Sequence, residues 1–224
     1  MCLLSCAPKG TDKYSELFLK GLRNGSYTNT DGIGYSFKKD STKKVFISKG
    51  YDKIEEVIEK LKNHKLKNED ELIVHQRIGN KGAKNIDMMH PFVLAWDEKV
   101  ILSNNKYVDL PIIAHNGTFH SYSKHNSDKS DTFWFIQEFM HKKELLDLMV
   151  NDLDFFKEIF SLKLSTNRLA LLFPYVDTNM VTLGEYIEEE GYLFSNNSYK
   201  DKYIRNVGGY EYSKYASYYG GSKD

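Results

Sequence analysis

The chain has 224 residues, 41% of them hydrophobic and 14% aromatic, and its 31 basic and 31 acidic side chains balance to a formal charge of zero. That length and composition suit one soluble globular domain with a sizeable core. The neutral balance argues against nucleic-acid binding as the main role, because such surfaces are usually strongly basic.

No apolar run approaches the roughly 20 residues needed to span a bilayer. The start, MCLLSCAPKG, is too short for a signal peptide and lacks its basic flank. A cytoplasmic protein with no membrane partner is expected. Two cysteines, Cys2 and Cys6, are too few for a secreted disulfide scaffold. Cys6 reads as a small apolar packing residue. The basic residues are nearly all lysine. Each of the four arginines, Arg23, Arg77, Arg168 and Arg205, is therefore a candidate for a planar, bidentate role that lysine cannot fill.

Asp12 to Arg23 carries apolar residues at helical spacing (Tyr14, Leu17, Phe18, Leu22) and predicts a helix closed by Asn24-Gly25. Gly34–Phe37 and Lys44–Ser48 read as strands around a polar turn. Tyr51–Lys62 is amphipathic through Ile54, Val57, Ile58 and Leu61. Glu71–Arg77 alternates into a strand, followed by a glycine-punctuated loop. Val93–Trp96 and Lys99–Leu102 read as a hairpin about Asp97-Glu98.

Leu110–His115 is an apolar strand ending in Asn116-Gly117. Asp131–Lys142 predicts a helix, and Leu145–Leu162 one or two more. Leu169–Phe173, Met180–Tyr186 and Gly191–Phe194 predict a late three-strand meander. Strands, then helices, then strands point to α+β with stacked sheets. The domain is drawn over residues 2–207. Residues 208–224 form a Tyr- and Gly-rich tail, read as a partly ordered extension.

Cys2 is the most informative residue. Met1 is removable when a small side chain follows it, and Cys2 would then carry a thiol and a free α-amine. The reference pKa values are about 7.7–8.0 for the amine and about 8.5 for the thiol. The amine can take the thiol proton near neutral pH, directly or through one water. Chain-terminal Thr, Ser and Cys act this way in N-terminal nucleophile hydrolases.

Further segments in chain order complete a constellation. They are Asp31-Gly32-Ile33-Gly34, His75-Gln76-Arg77, His90-Pro91-Phe92, Ala114-His115-Asn116-Gly117 and Ser130-Asp131. With MCLL at the start, this series resembles the class II glutamine amidotransferases, and in particular their short stand-alone branch. The resemblance covers residues 2 to about 195 and rests on six short motifs in one order. It implies the four-layer αββα sandwich of N-terminal nucleophile hydrolases. It also implies hydrolysis of the glutamine side-chain amide through a Cys2 thioester, giving glutamate and ammonia.

The same resemblance implies roles for individual residues. Cys2 is the nucleophile. The Asn116 side-chain amide and the Gly117 backbone N–H form the oxyanion hole; Asn-Gly after a strand is otherwise an ordinary hairpin turn. Arg77 clamps the substrate α-carboxylate in fork geometry, where a surface ion pair is the ordinary alternative. Asp131 pairs with the α-ammonium, caps the helix that follows, or does both, and Ser130 is the better pure cap. Asp31 and Gly34 shape a turn beside the pocket.

Two stretches depart from the family pattern. Thr28-Asn29 stands where many members have Arg-Gly, and Ile78-Gly79-Asn80-Lys81 stands where many have Trp-Ala-Thr-His. Asn80 or Lys81 is expected to supply the missing carboxylate contacts. No cofactor is expected. The spacing of His75, His90 and His115 is not that of metal ligands, and the implied mechanism needs no metal. No synthase or synthetase domain is apparent, so an ammonia acceptor would be handled by a separate chain. Two alternatives stay open: cleavage of a γ-glutamyl peptide or conjugate without ammonia transfer, and a non-catalytic interaction subunit.

Overall fold

The structure, a computed structural model, describes residues 1–79, 85–125, 127–161, 164–174 and 179–200. Two antiparallel sheets organise them. The larger contains β1 (Leu3–Ala7), β2 (Ile33–Lys38), β3 (Val45–Tyr51), β4 (Glu71–Gln76), β6 (Lys106–Val108), β10 (Ile187–Glu189) and β11 (Tyr192–Phe194). Their order is β10-β11-β1-β4-β2-β3-β6. The smaller contains β5 (Phe92–Val93), β7 (Ile112–Asn116), β8 (Arg168–Leu172) and β9 (Val181–Leu183), in the order β5-β7-β8-β9. The α+β class expected from the sequence is the class observed.

β1 lies inside the larger sheet, between β11 and β4, and all five of its residues are buried. Successive side chains of a strand point to opposite faces, and the sequence LLSCA exploits this. Leu3 and Ala7 join a cluster with Phe18 and Leu22 of α1 (Glu16–Ser26) and Val57, Ile58 and Leu61 of α2 (Ile54–His64). Leu4 and Cys6 join a second cluster with Ile112, Ala114, Leu169 and Leu171 of the smaller sheet. That cluster continues into Phe133, Met140, Met149, Phe156 and Phe160. These residues lie on α4 (Asp131–Phe135), a π-helical turn (Ile136–Met140), α5 (Lys143–Asn151) and α6 (Leu153–Ser161). Cys6 is thus the apolar packing residue the sequence suggested. Residues four apart on an extended strand are roughly 13 Å apart, too far for a Cys2–Cys6 bridge.

Several expected elements are corrected. The hairpin about Asp97-Glu98 is absent; α3 (Glu98–Ile101) stands there instead. The Asp97 carboxylate accepts from the Val100 N–H at 3.1 Å, so an N-cap was mistaken for a turn. α1 begins at Glu16, capped by Ser15, and does not stop at Asn24-Gly25. Gly25 lies inside it because a methyl group there would stand 2.4 Å from both Gln76 Oε1 and Leu3 Cδ2. The helix predicted over Asp131–Lys142 changes to π-helical geometry at Ile136 and ends before Lys142. The late meander is divided: β9 pairs with β8 in the smaller sheet, whereas β11 pairs with β1 in the larger. β6 and β10 had no counterpart in the sequence reading.

Gly34 shows how closely the layers approach. A Cβ there would stand 2.1 Å from the His90 carbonyl oxygen and 2.8 Å from Lys49 Cβ. The first neighbour is backbone and cannot swing away. Gly34→Ala is expected to cost about 3 kcal/mol, read as a lowered urea midpoint with an unchanged slope. An unchanged midpoint would show that the 90–91 backbone yields freely.

Candidate active site

Strand register sets the first half of the site. Leu3 is paired with Gln76, which brings Cys2 level with Arg77 at the end of β4. Ile33 pairs with Gln76 from the other side, so Asp31-Gly32 flanks Arg77 there. The Arg77 N–H donates to the Gly32 carbonyl at 2.9 Å, and the Asp31 N–H donates to the Arg77 carbonyl at 3.0 Å. The Asp31 carboxylate accepts from the Gly79 N–H at 2.6 Å. Asp31 and Gly32 therefore hold the strand end that carries Arg77, whereas Gly34, expected in a turn, lies within β2.

The Cys2 thiol lies against the next residue. The Ile78 N–H points at Sγ from 3.4 Å, and the Ile78 carbonyl is 3.6 Å from it. Burial pushes the thiol pKa up, while the Ile78 N–H, the positive chain terminus and the Arg77 guanidinium work against that rise. The net shift is upward, so a thiolate needs a base to form it. Met1 is 74% exposed, and removing it would disturb no core packing.

The arginines separate by environment. Arg23 forms a surface fork with Glu55, at 2.7 and 3.2 Å. Arg168 donates to the carbonyls of Glu185 and Thr166. Arg205 lies outside the described residues. Arg77 has no carboxylate within ion-pairing distance among the described residues, and its Nη2 would lie 3.2 Å from a methyl group at Gly79. Of the described arginines it is the one beside the thiol whose fork is not occupied by a carboxylate or carbonyl of a described residue.

β7 supplies the second half. Asn116, its last residue, is 2% exposed and donates from Nδ2 to Ser195 Oγ at 2.8 Å. The same Oγ accepts from the Leu4 N–H at 2.9 Å, and the Ser195 N–H donates to the Leu4 carbonyl at 2.9 Å. One hydroxyl thus ties the Asn116 amide to β1, two residues beyond Cys2. The adjacent Asn196 donates from Nδ2 to the Cys2 carbonyl at 2.7 Å. Ser195 and Asn196 were not legible in the sequence, which marks only the apolar strand ending in Phe194. Two small polar residues after a strand carry no signal of their own.

Gly117 has φ +147°, in the left-handed region, and a Cβ there would stand 2.1 Å from Asn167 Oδ1. A side chain is excluded both conformationally and sterically. Asn167 Oδ1 also lies 2.8 Å from His115 Nε2, while His115 Nδ1 lies 2.8 Å from Thr132 Oγ1. Ser130 caps α4 by accepting from the Phe133 N–H at 3.2 Å. Asp131 is therefore not the cap. Its Oδ2 accepts from the Phe119 N–H at 2.6 Å, two residues after Gly117.

Cys2, Arg77 and Asn116 thus gather around the first residues of β1, while Asp131, at the start of α4, holds the loop that follows Gly117 through the Phe119 N–H. Asn80 and Lys81 lie outside the described residues. His75 and His90 stack at 4.5 Å, and His90 and His115 lie 6.1 Å apart. The His115 N–H donates to His90 Nδ1 at 2.8 Å, so that nitrogen carries no proton. Burial, with neighbouring positive charge, pushes His75 down to about 3 and His90 well below its ordinary value. Burial lowers His115 too, against the opposing pull of Asn167 and Asp131. Among the described residues no group of three His, Cys, Asp or Glu side chains is placed to hold a metal ion. Nor is any helix among them long and apolar enough to cross a membrane. Compared with protein-family models and with curated proteins, the chain matches none.

Proposed function

We propose that the chain is a cysteine-dependent glutaminase of the class II glutamine amidotransferase type, with the αββα layering of N-terminal nucleophile hydrolases. One observation carries the reading. Cys2, an arginine with no carboxylate partner among the described residues and the buried Asn116 amide are all anchored to the same end of β1.

The chemistry follows from those groups. Once Met1 is removed, the Cys2 α-amine takes the thiol proton. Sγ then attacks the amide carbonyl carbon. The resulting oxyanion accepts from Asn116 Nδ2 and the Gly117 N–H. The protonated amine returns its proton to the leaving nitrogen as the C–N bond breaks. Ammonia departs, and water hydrolyses the thioester to glutamate and free thiol. Arg77 receives the substrate α-carboxylate and Asp131 its α-ammonium.

A second reading, hydrolysis of a γ-glutamyl conjugate, is favoured by one feature. Ile78, which flanks the thiol, exposes 37% of its surface, and an apolar leaving group could rest on it. Relative rates on glutamine and on a γ-glutamyl anilide separate the two.

The test is intact mass before and after a glutamine-like diazoketone. Loss of Met1 and gain of one adduct, absent in Cys2→Ala, is the expected result. A processed chain that takes up no adduct would sink the proposal and favour a non-catalytic subunit.

A further inference from the structure

The geometry points to Ser195 as a positioning residue that aims the Asn116 amide for catalysis, an assignment that rests on the function proposed above. A hydroxyl oxygen has two acceptor sites. In Ser195 both are filled, by the Leu4 N–H at 2.9 Å and by Asn116 Nδ2 at 2.8 Å. The side chain is 2% exposed, so water does not compete for either site.

An Asn side-chain amide carries two hydrogens. Ser195 engages one, which fixes the amide plane and leaves the other free for an oxyanion. The backbone fixes Ser195 in turn, because its N–H donates to the Leu4 carbonyl while its Oγ accepts from the Leu4 N–H. Asn196 holds the Cys2 carbonyl from the same turn, at 2.7 Å. The segment after β11 therefore sets the nucleophile strand and the oxyanion donor against each other, although β7 and β1 belong to different sheets. A preorganised donor works because it need not reorient as charge develops.

Losing the hydroxyl frees Asn116 to rotate without removing it. The cost should fall on the chemical step alone, and it should be smaller than that of losing the amide. Ser195→Ala is expected to lower kcat by about 10- to 30-fold, a fraction of the 10²–10³ assigned to one oxyanion donor, with KM within about threefold of wild type.

Three controls separate positioning from damage. Alkylation of Cys2 by iodoacetamide needs no oxyanion hole, so its rate in Ser195→Ala should stay within about twofold of wild type. Cys6, buried in the core, should remain unlabelled, reporting an intact fold. In an Asn116→Ala background, the Ser195→Ala change should cost little more, because its effect runs through the missing amide.

An active wild type with an unimpaired Ser195→Ala, full additivity in the double variant, or an equal loss of alkylation rate would each overturn the assignment alone. A wild type that hydrolyses neither glutamine nor a γ-glutamyl anilide would overturn the proposed function, and this assignment with it.

Discussion

Asn116→Ala is expected to lower kcat for glutamine hydrolysis by about 10²–10³, or about 3–4 kcal/mol of transition-state stabilisation, with KM changed only a few-fold. The amide meets charge that exists only after Sγ has attacked, so its loss falls on kcat. The variant should still fold. Ser195 Oγ keeps the Leu4 N–H as a donor, and the lost bond costs on the order of 1 kcal/mol. Asn116→Asp is the sharper control, since a carboxylate at the same place repels the oxyanion. A raised KM with unchanged kcat in Asn116→Ala would instead place Asn116 in substrate binding.

How much of this was legible in the sequence depended on whether the signal was local. β4 was found from the alternation in Glu71–Arg77, β7 because a short apolar run marks a buried strand, and α2 because Val57, Ile58 and Leu61 recur at helical spacing. Within the site, Cys2, Arg77 and Asn116 were visible because their motifs sit at strand ends. Their proximity was not visible. It depends on the antiparallel register of β1 with β4 and on Ser195, 191 positions from its partner Leu4. The division of the late strands was equally hidden. Alternation fixes a face and not a partner, so nothing in Tyr192–Phe194 says that it pairs with β1. Asp97 misled because an acidic residue after an apolar run serves a turn or a helix cap equally well. Gly25 misled because a glycine can mark close packing as readily as a helix end.

Acid should destabilise the fold through three buried, neighbouring histidines, His75, His90 and His115. In the unfolded chain each titrates near its ordinary value of 6.5; in the folded chain burial moves His75 to about 3 and His90 well below 6.5, and it lowers His115. The folded state therefore holds fewer protons than the unfolded state once the pH falls below about 6.5. The stabilisation is complete above that value and is lost progressively towards pH 3, at about 1.4 kcal/mol per pH unit for each histidine still neutral when folded. The bonding agrees with this sign, since a proton on His90 Nδ1 would face the His115 N–H. His75 is the member to test, because among the described residues neither of its ring nitrogens has a hydrogen-bond partner. His75→Phe keeps a flat ring against His90, loses no bond to a described residue and cannot take up a proton. It should match wild type at pH 7 and exceed it by about 3 kcal/mol at pH 4. Urea unfolding of both proteins across that range provides the comparison. Parallel pH dependences would mean that His75 accepts its proton while folded, and that the acid sensitivity arises elsewhere.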